Sequence, residues 1–272
     1  MLLTEFTELT LIVIALRVSY ALFTVLLIVW FSFDKLNWFY YEKNDSGESV
    51  VAFNGHPLCM CLAWIVLMSE GIVAWRYYER NCGIPHSVAK TIHSSLQYSA
   101  VVIMTIGLAI TFNNHSEKNL DHMASGHAWL GMLVVFAMVA QILLATHTFL
   151  FTKYERFKMQ VLVWHRYGGL FIYLGGIATI CMGFEEKQAG IACSSNYCHE
   201  KIFASMLAVL AVLVAMLTMA VFIHEDQGIT TAELSEKINL VTNSGGGPAR
   251  VLGGGWAGST FGGGAIYDPG DP

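Results

Sequence analysis

Six stretches of this chain are long and apolar enough to cross a hydrocarbon layer roughly 30 Å thick, which takes about 20 helical residues. They lie near residues 9–33, 53–76, 93–112, 127–151, 163–184 and 201–223. Each run is continuously apolar, whereas a membrane β-barrel would show segments of roughly 10 residues in strict alternation. A helix satisfies its own backbone groups where no water is at hand, so six such runs predict six spanning helices. The expected fold is all-α, a polytopic membrane bundle of six transmembrane helices in a lipid bilayer. Composition agrees: 55% of the 272 residues are hydrophobic and 13% charged, too few charges to clothe an ordinary soluble domain. The net charge of −5 says little, because the charges are shared among short loops and a tail, and no nucleic-acid partner is expected.

The loops set the expected orientation. Arg76, Arg80, Lys90, Lys153, Arg156, Lys158 and Arg166 flank the second-to-third and fourth-to-fifth connections. Lys35, Lys43, Lys118, Lys187 and Lys201 lie on the opposite side, among more acidic residues. The excess of positive charge places the first group, and with it both termini, in the cytosol or its organellar equivalent. The first run is too long for the apolar part of a cleavable signal and lacks a small-residue cleavage site, so it serves as its own targeting signal. The membrane is expected to be an endomembrane or plasma membrane, with an organellar inner membrane as the alternative. Cys193 and Cys198 share an outer loop, where a local disulfide and a reduced pair are both open.

After the sixth run the composition changes. Residues 1–227 read as one membrane domain, and residues 228–272 as a short amphipathic helix over 231–240 followed by a glycine-rich tail. Trp256, Phe261 and Tyr267 in that tail suit docking on a partner, either a second copy or a larger membrane complex.

The ionisable residues most in need of explanation are four histidines. His56, His93, His127 and His165 fall near the starts of the second, third, fourth and fifth runs. His56 and His93 are 37 residues apart (93 − 56) and His127 and His165 are 38 apart (165 − 127), so one helical hairpin is echoed by the next. Because consecutive spans alternate in direction, His56 pairs by depth with His127 in one leaflet and His93 with His165 in the other. A single imidazole in a membrane would be read as an interhelical hydrogen bond. Four at matched depths, two per leaflet, point instead to axial ligation of two haems, between helices 2 and 4 and between helices 3 and 5. Zinc would want closer ligands with thiolate or carboxylate among them. Two axial imidazoles saturate an iron, which makes electron transfer the natural function. With each ligand about one turn inside the core, the two irons would be about 20 Å apart along the membrane normal.

Other residues leave alternatives open. Gly55, Gly126, Gly131, Gly168, Gly169, Gly175 and Gly176 suit either the close approach of a flat macrocycle or helix packing. Arg17, inside the first span, either snorkels to the interface or meets a haem propionate. Asn54 is placed to cap the second helix, and Pro57 leaves open whether that helix includes His56 or starts after it.

"FNGHP" (53–57), "KTIH" (90–93), "SGHAWLG" (125–131) with Gln141, "WHRYGG" (164–169) and "IATICMGFEEK" (177–187) together resemble the cytochrome b561 family over residues 50–190. The resemblance implies six spans and two haem b groups, held by His56 with His127 and by His93 with His165. It implies electron flow from cytosolic ascorbate to monodehydroascorbate or a ferric chelate on the far side, an ascorbate-dependent reductase activity. Arg76 and Lys90 match family positions that receive the ascorbate anion, with Arg156 a looser match, and His115 in "FNNH" resembles a histidine facing the acceptor. Ala124, Gly126 and Ala128 depart from the family pattern around His127, and the glycine-rich tail is foreign to it. A second reading follows from the tail: a haem-bearing accessory subunit of a larger, respiratory-type membrane complex. His86, His122, His199 and His224 are expected to be solvated, and His147 has no visible partner in the sequence.

Overall fold

In a computed structural model of the chain, residues 2–33, 42–43, 45–50, 52–193 and 198–243 are described. Helix α1 spans Leu2–Phe31. A two-residue hairpin follows, with β1 (Glu42–Lys43) antiparallel to β2 (Ser49–Val50) and Glu42 opposite Val50. Helix α2 runs in consecutive segments, Gly55–Cys61, Leu62–Met68, Ser69–Arg76 and Tyr77–Asn81, the second and fourth wound with π-helical turns. Helix α3 is His86–Glu117, α4 is Gly126–Thr146 ending in the π turn His147–Phe151, α5 is Glu155–Ala189 and α6 is His199–Asn243. Each of the six contains a stretch long and apolar enough to cross a membrane.

The helices overrun the apolar runs expected from sequence. Flanks such as Ser87–Thr91 in the first turns of α3 and Arg156–Gln160 in α5 are helical, because a helix may continue past the hydrocarbon as long as it hydrogen-bonds itself. His93 and His165 therefore lie two to three turns inside their helices and not in the first turn. His56 and His127 are the second residues of theirs. At α2 the chain is helical from Gly55, and the His56 amide donates to the Phe53 carbonyl at 2.9 Å, so the helix includes the residue before Pro57. Asn54 holds the cap position, but its side chain makes no cap hydrogen bond. Ser125 does cap α4, accepting from the Ala128 amide at 3.2 Å.

Burial identifies the centre of the bundle. The membrane stretch of α2 is 56% buried, against 39% or less for every other span. Along α1 the buried side chains Leu9, Val13, Leu16, Phe23, Leu27 and Trp30 recur at helical spacing, while Leu11, Ile14, Val18 and Leu22 face outward, as a lipid-facing surface requires. Trp30 ties α1 to its neighbours: its Nε1 donates to the Glu200 carbonyl at 2.8 Å, and its ring meets Phe184 of α5 edge-on at 5.5 Å. Cys193 and Cys198 form a disulfide, resolving the alternative in favour of the bonded form.

The chain divides into two compact units, residues 1–226 and 227–272. In the second unit the backbone is helical as far as Asn243, covering the short helix expected over 231–240. Trp256, Phe261 and Tyr267 lie outside the described residues.

Candidate functional site

The four histidines converge in pairs. The rings of His56 on α2 and His127 on α4 have centroids 6.1 Å apart, their planes at 87°. Those of His93 on α3 and His165 on α5 are also 6.1 Å apart, at 77°. Both pairs join alternate helices, as the direction of the spans requires.

Each ring is held by its neighbours. His56 Nδ1 lies 3.0 Å from the Gly107 carbonyl, His127 Nδ1 lies 2.9 Å from that of Thr179, and His93 Nδ1 lies 2.6 Å from that of Gly71. A carbonyl can only accept, so in each case Nδ1 carries the proton and donates it, leaving the lone pair of Nε2 free for a metal. A Cβ on Gly107 would come within 2.9 Å of Cys59 Cβ and 3.4 Å of the His56 carbonyl, so glycine is what lets α3 approach α2 closely enough for that bond. Gly183 leaves room for the second ring, since a Cβ there would be 2.9 Å from His127 Cε1.

His165 is tied through its backbone. Gln141 Nε2 donates to the His165 carbonyl at 3.2 Å, and Gly168 and Gly169 clear the space for that amide: added Cβ atoms would come 2.9 Å and 2.6 Å from it. This accounts for Gln141 and for the paired glycines of "WHRYGG". Among the described residues the buried Nδ1 of His165 has no hydrogen-bond partner. Around this pair, Trp75 meets His93 edge-on at 5.9 Å and Phe149 meets His165 at 5.6 Å.

The residues present fit an iron porphyrin. A metal bonded to Nε2 of two facing imidazoles at about 2 Å each would hold their ring centres about 6 Å apart, as both pairs do. Among the described residues no group of three His, Cys, Asp or Glu converges, so each site offers two ligands, which suits a metal whose other positions a macrocycle fills. The α2/α4 pair opens into a cavity also lined by Phe53, His115, His122 and Lys187.

The other expected residues are distributed around the two pairs. Lys90 donates through Nζ to the Phe149 carbonyl at 3.2 Å, which fixes the π turn beside His165. Arg76 and Arg156 are on α2 and α5, and their side chains lie outside the described residues. His115 stacks on Phe53 at 6.2 Å, and Phe53 in turn leans on His56 at 5.6 Å. Arg17 does not snorkel: its Nε donates to Glu70 Oε2 at 3.3 Å, and its Nη2 donates to Glu70 Oε1 and, at 2.9 Å, to Tyr78 Oη. The glycines over which packing and macrocycle contact compete face protein side chains, Gly175 meeting Val134 and Gly176 meeting Trp64.

Three features escaped the sequence reading. Glu70 is one, although its signal was there: a lone carboxylate in the apolar run "LMSEGIV", with a lone arginine in the span before it. His122 is the second; it stacks on His115 at 5.8 Å and on Phe112 at 5.2 Å. His86 is the third, 2.9 Å from Glu79 Oε2 and edge-on to Trp75 at 5.0 Å. The last two contacts join residues of different helices or loops, which no spacing within one segment reveals.

The family model for eukaryotic cytochrome b561 matches residues 55–190, half of the chain, a range that contains both histidine pairs. The chain belongs to the cytochrome b561 family. It is an integral, multi-pass membrane protein of oxidoreductase type, and membership implies haem b. Among its relatives, ascorbate-specific transmembrane electron transporter 1 of Zea mays is 28% identical over 172 residues, 62% of this chain and 72% of that protein. The Zea mays transporter 2 is 30% identical over 164 residues, 59% of this chain and 68% of its own length. The transmembrane ascorbate-dependent reductase CYB561 of Sus scrofa is 27% identical over 194 residues, 68% of this chain and 74% of that protein. Cytochrome b561 membership thus rests on α2 to α5, while α1 and α6 lie outside the matched range.

Proposed function

We propose that this cytochrome b561 carries electrons across its membrane from cytosolic ascorbate to monodehydroascorbate or a ferric chelate, through two haem b groups. His56 with His127 would hold the outer haem and His93 with His165 the inner one. The observation that supports this reading most strongly is the equal 6.1 Å separation of the two pairs, each with at least one ring whose Nδ1 is engaged by a carbonyl. When bound, each haem would supply a one-electron couple.

The chain's own residues do the rest. The carbonyls of Gly107, Thr179 and Gly71 orient the imidazoles and keep Nε2 unprotonated. On the inner side, Lys90 and the positions of Arg76 and Arg156 gather positive charge where an ascorbate anion would arrive. Trp75 and Phe149 pack against the inner rings. On the outer side, His115 and Lys187 line the cavity through which an acceptor would approach the outer pair. Residues 1–227 form the electron-transfer domain, with both termini on the cytosolic side. Residues 228–272 carry the second reading, an accessory subunit docked through its tail; the chain divides into two units between residues 226 and 227.

Reconstituted vesicles with a ferric chelate sealed inside test the first reading. External ascorbate is expected to reduce the enclosed iron only when the protein is present. Haem reduction by ascorbate with no transfer to the lumen would remove the proposal. Deleting residues 228–272 should leave that transfer intact; its loss, with collapse of a large assembly on native gels, would favour the subunit reading.

A further inference from the structure

Three successive residues of α2 join it to three other helices, and through Tyr173 to a fourth, at the level of the inner pair. Ser69 Oγ shares a hydrogen bond of 2.8 Å with Tyr173 Oη of α5, which in turn lies 3.2 Å from Thr218 Oγ1 of α6. Glu70 receives four donors, two on each oxygen: Oε1 from Arg17 Nη2 and, at 2.6 Å, from Tyr78 Oη; Oε2 from Arg17 Nε at 3.3 Å and from Tyr20 Oη at 2.9 Å. The next carbonyl along, Gly71, accepts from His93 Nδ1 at 2.6 Å.

An ion pair inside a membrane span is costly to form, and a buried pair seldom stabilises more than a well-packed apolar substitute would. Retaining one therefore points to a geometric task. Here that task lies one peptide unit away, at the carbonyl that holds the inner ligand. The strength of an Nδ1–H donation sets how basic the ligating imidazole is, and ligand basicity is one of the levers on an iron's reduction potential. Among the described residues the outer pair has no such arrangement. Its accepting carbonyls, Gly107 and Thr179, are flanked by Ile106, Leu108, Ala178 and Ile180.

We propose that Glu70, locked by Arg17, Tyr20 and Tyr78, is a positioning residue for His93: it fixes the Gly71 carbonyl against Nδ1 and so lowers the potential of the inner centre without a matching effect on the outer one. This rests on His93 being an iron ligand.

Potentiometric titration of the α-band absorbance of the purified full-length protein tests it, with His93→Ala identifying the inner component. In Glu70→Gln the inner component is expected at higher potential and the outer one where it is in the wild type. Loss of a negative charge would act in the same direction, so Arg17→Met/Glu70→Gln, which removes one charge of each sign, separates the two causes; its inner component is expected to stay raised. An inner potential unchanged in Glu70→Gln, or returned to the wild-type value in the double variant, overturns the proposal. If Glu70→Gln fails to insert with its haem, Glu70→Asp keeps the charge and shortens the reach by one methylene. A raised inner potential there supports positioning, and an unchanged one rejects it. A wild type with no b-type absorbance would instead remove the ligation reading, and this proposal with it.

Discussion

The two histidine pairs have the same ring separation in different surroundings, and the contrast separates what builds a site from what tunes it. In the outer pair both Nδ1 atoms are engaged by carbonyls, and the pair faces a cavity with His115, His122 and Lys187 around it. In the inner pair one Nδ1 is engaged and the other is an orphan, the rings are edged by Trp75 and Phe149, and an ion pair lies one residue from the supporting carbonyl. Separation is set by the helix backbones, which the hairpin repeat makes alike. The local surroundings are set by single side chains, which the repeat does not copy. Equal distances therefore need not mean equal potentials or equal access to partners.

The comparison breaks most completely at the ligands themselves. Either His127→Ala or His93→Ala should stop transfer across a vesicle membrane, but in stopped-flow spectra ascorbate should still reduce the remaining centre of His127→Ala and fail with that of His93→Ala. Equal reduction in both would show that electrons do not enter at the inner pair. Glycine substitutions come next. Gly183→Ala brings a methyl against the His127 ring and should cost about 1–3 kcal/mol in thermal or denaturant unfolding, and Gly168→Ala brings one against the end of the Gln141 side chain, which can shift, so it should cost less. The first should disturb only the outer spectral component, and the second only the inner. Gln141→Leu removes the donor to the His165 carbonyl and should cost about 1 kcal/mol, with its spectral effect confined to the inner component.

The smallest effect is expected at Lys187, whose Nζ lies 5.0 Å from the centre of the Phe53 ring. Lys187→Met should change stability by about 1 kcal/mol or less. It should slow reduction of an anionic acceptor at low salt, and the difference from wild type should shrink as ionic strength rises.

The six spans and the four paired histidines were legible because both depend on patterns within single segments: apolar length, and the depth of one residue in its run. The alternation of spans then turned a list of histidines into two pairs. Helix ends were less legible, since a helix such as α3 continues into polar residues wherever its own hydrogen bonds allow, which carried His93 well away from the first turn. Glu70 escaped because its meaning depends on Arg17, Tyr20 and Tyr78, brought to it from another helix and from a later turn of its own. Arg17 was left between the interface and a haem propionate for the same reason: a long cation in an apolar run announces that it needs a partner, not which one. His122 and His86 are exposed, as expected, and only their ring contacts with His115 and Trp75 were not legible.

The haem content of the purified full-length chain tests the central claim most directly. The account predicts two haem b per chain in the wild type and one in each of His127→Ala and His93→Ala. A wild type that binds one haem or none, or single variants that still hold two, would contradict it.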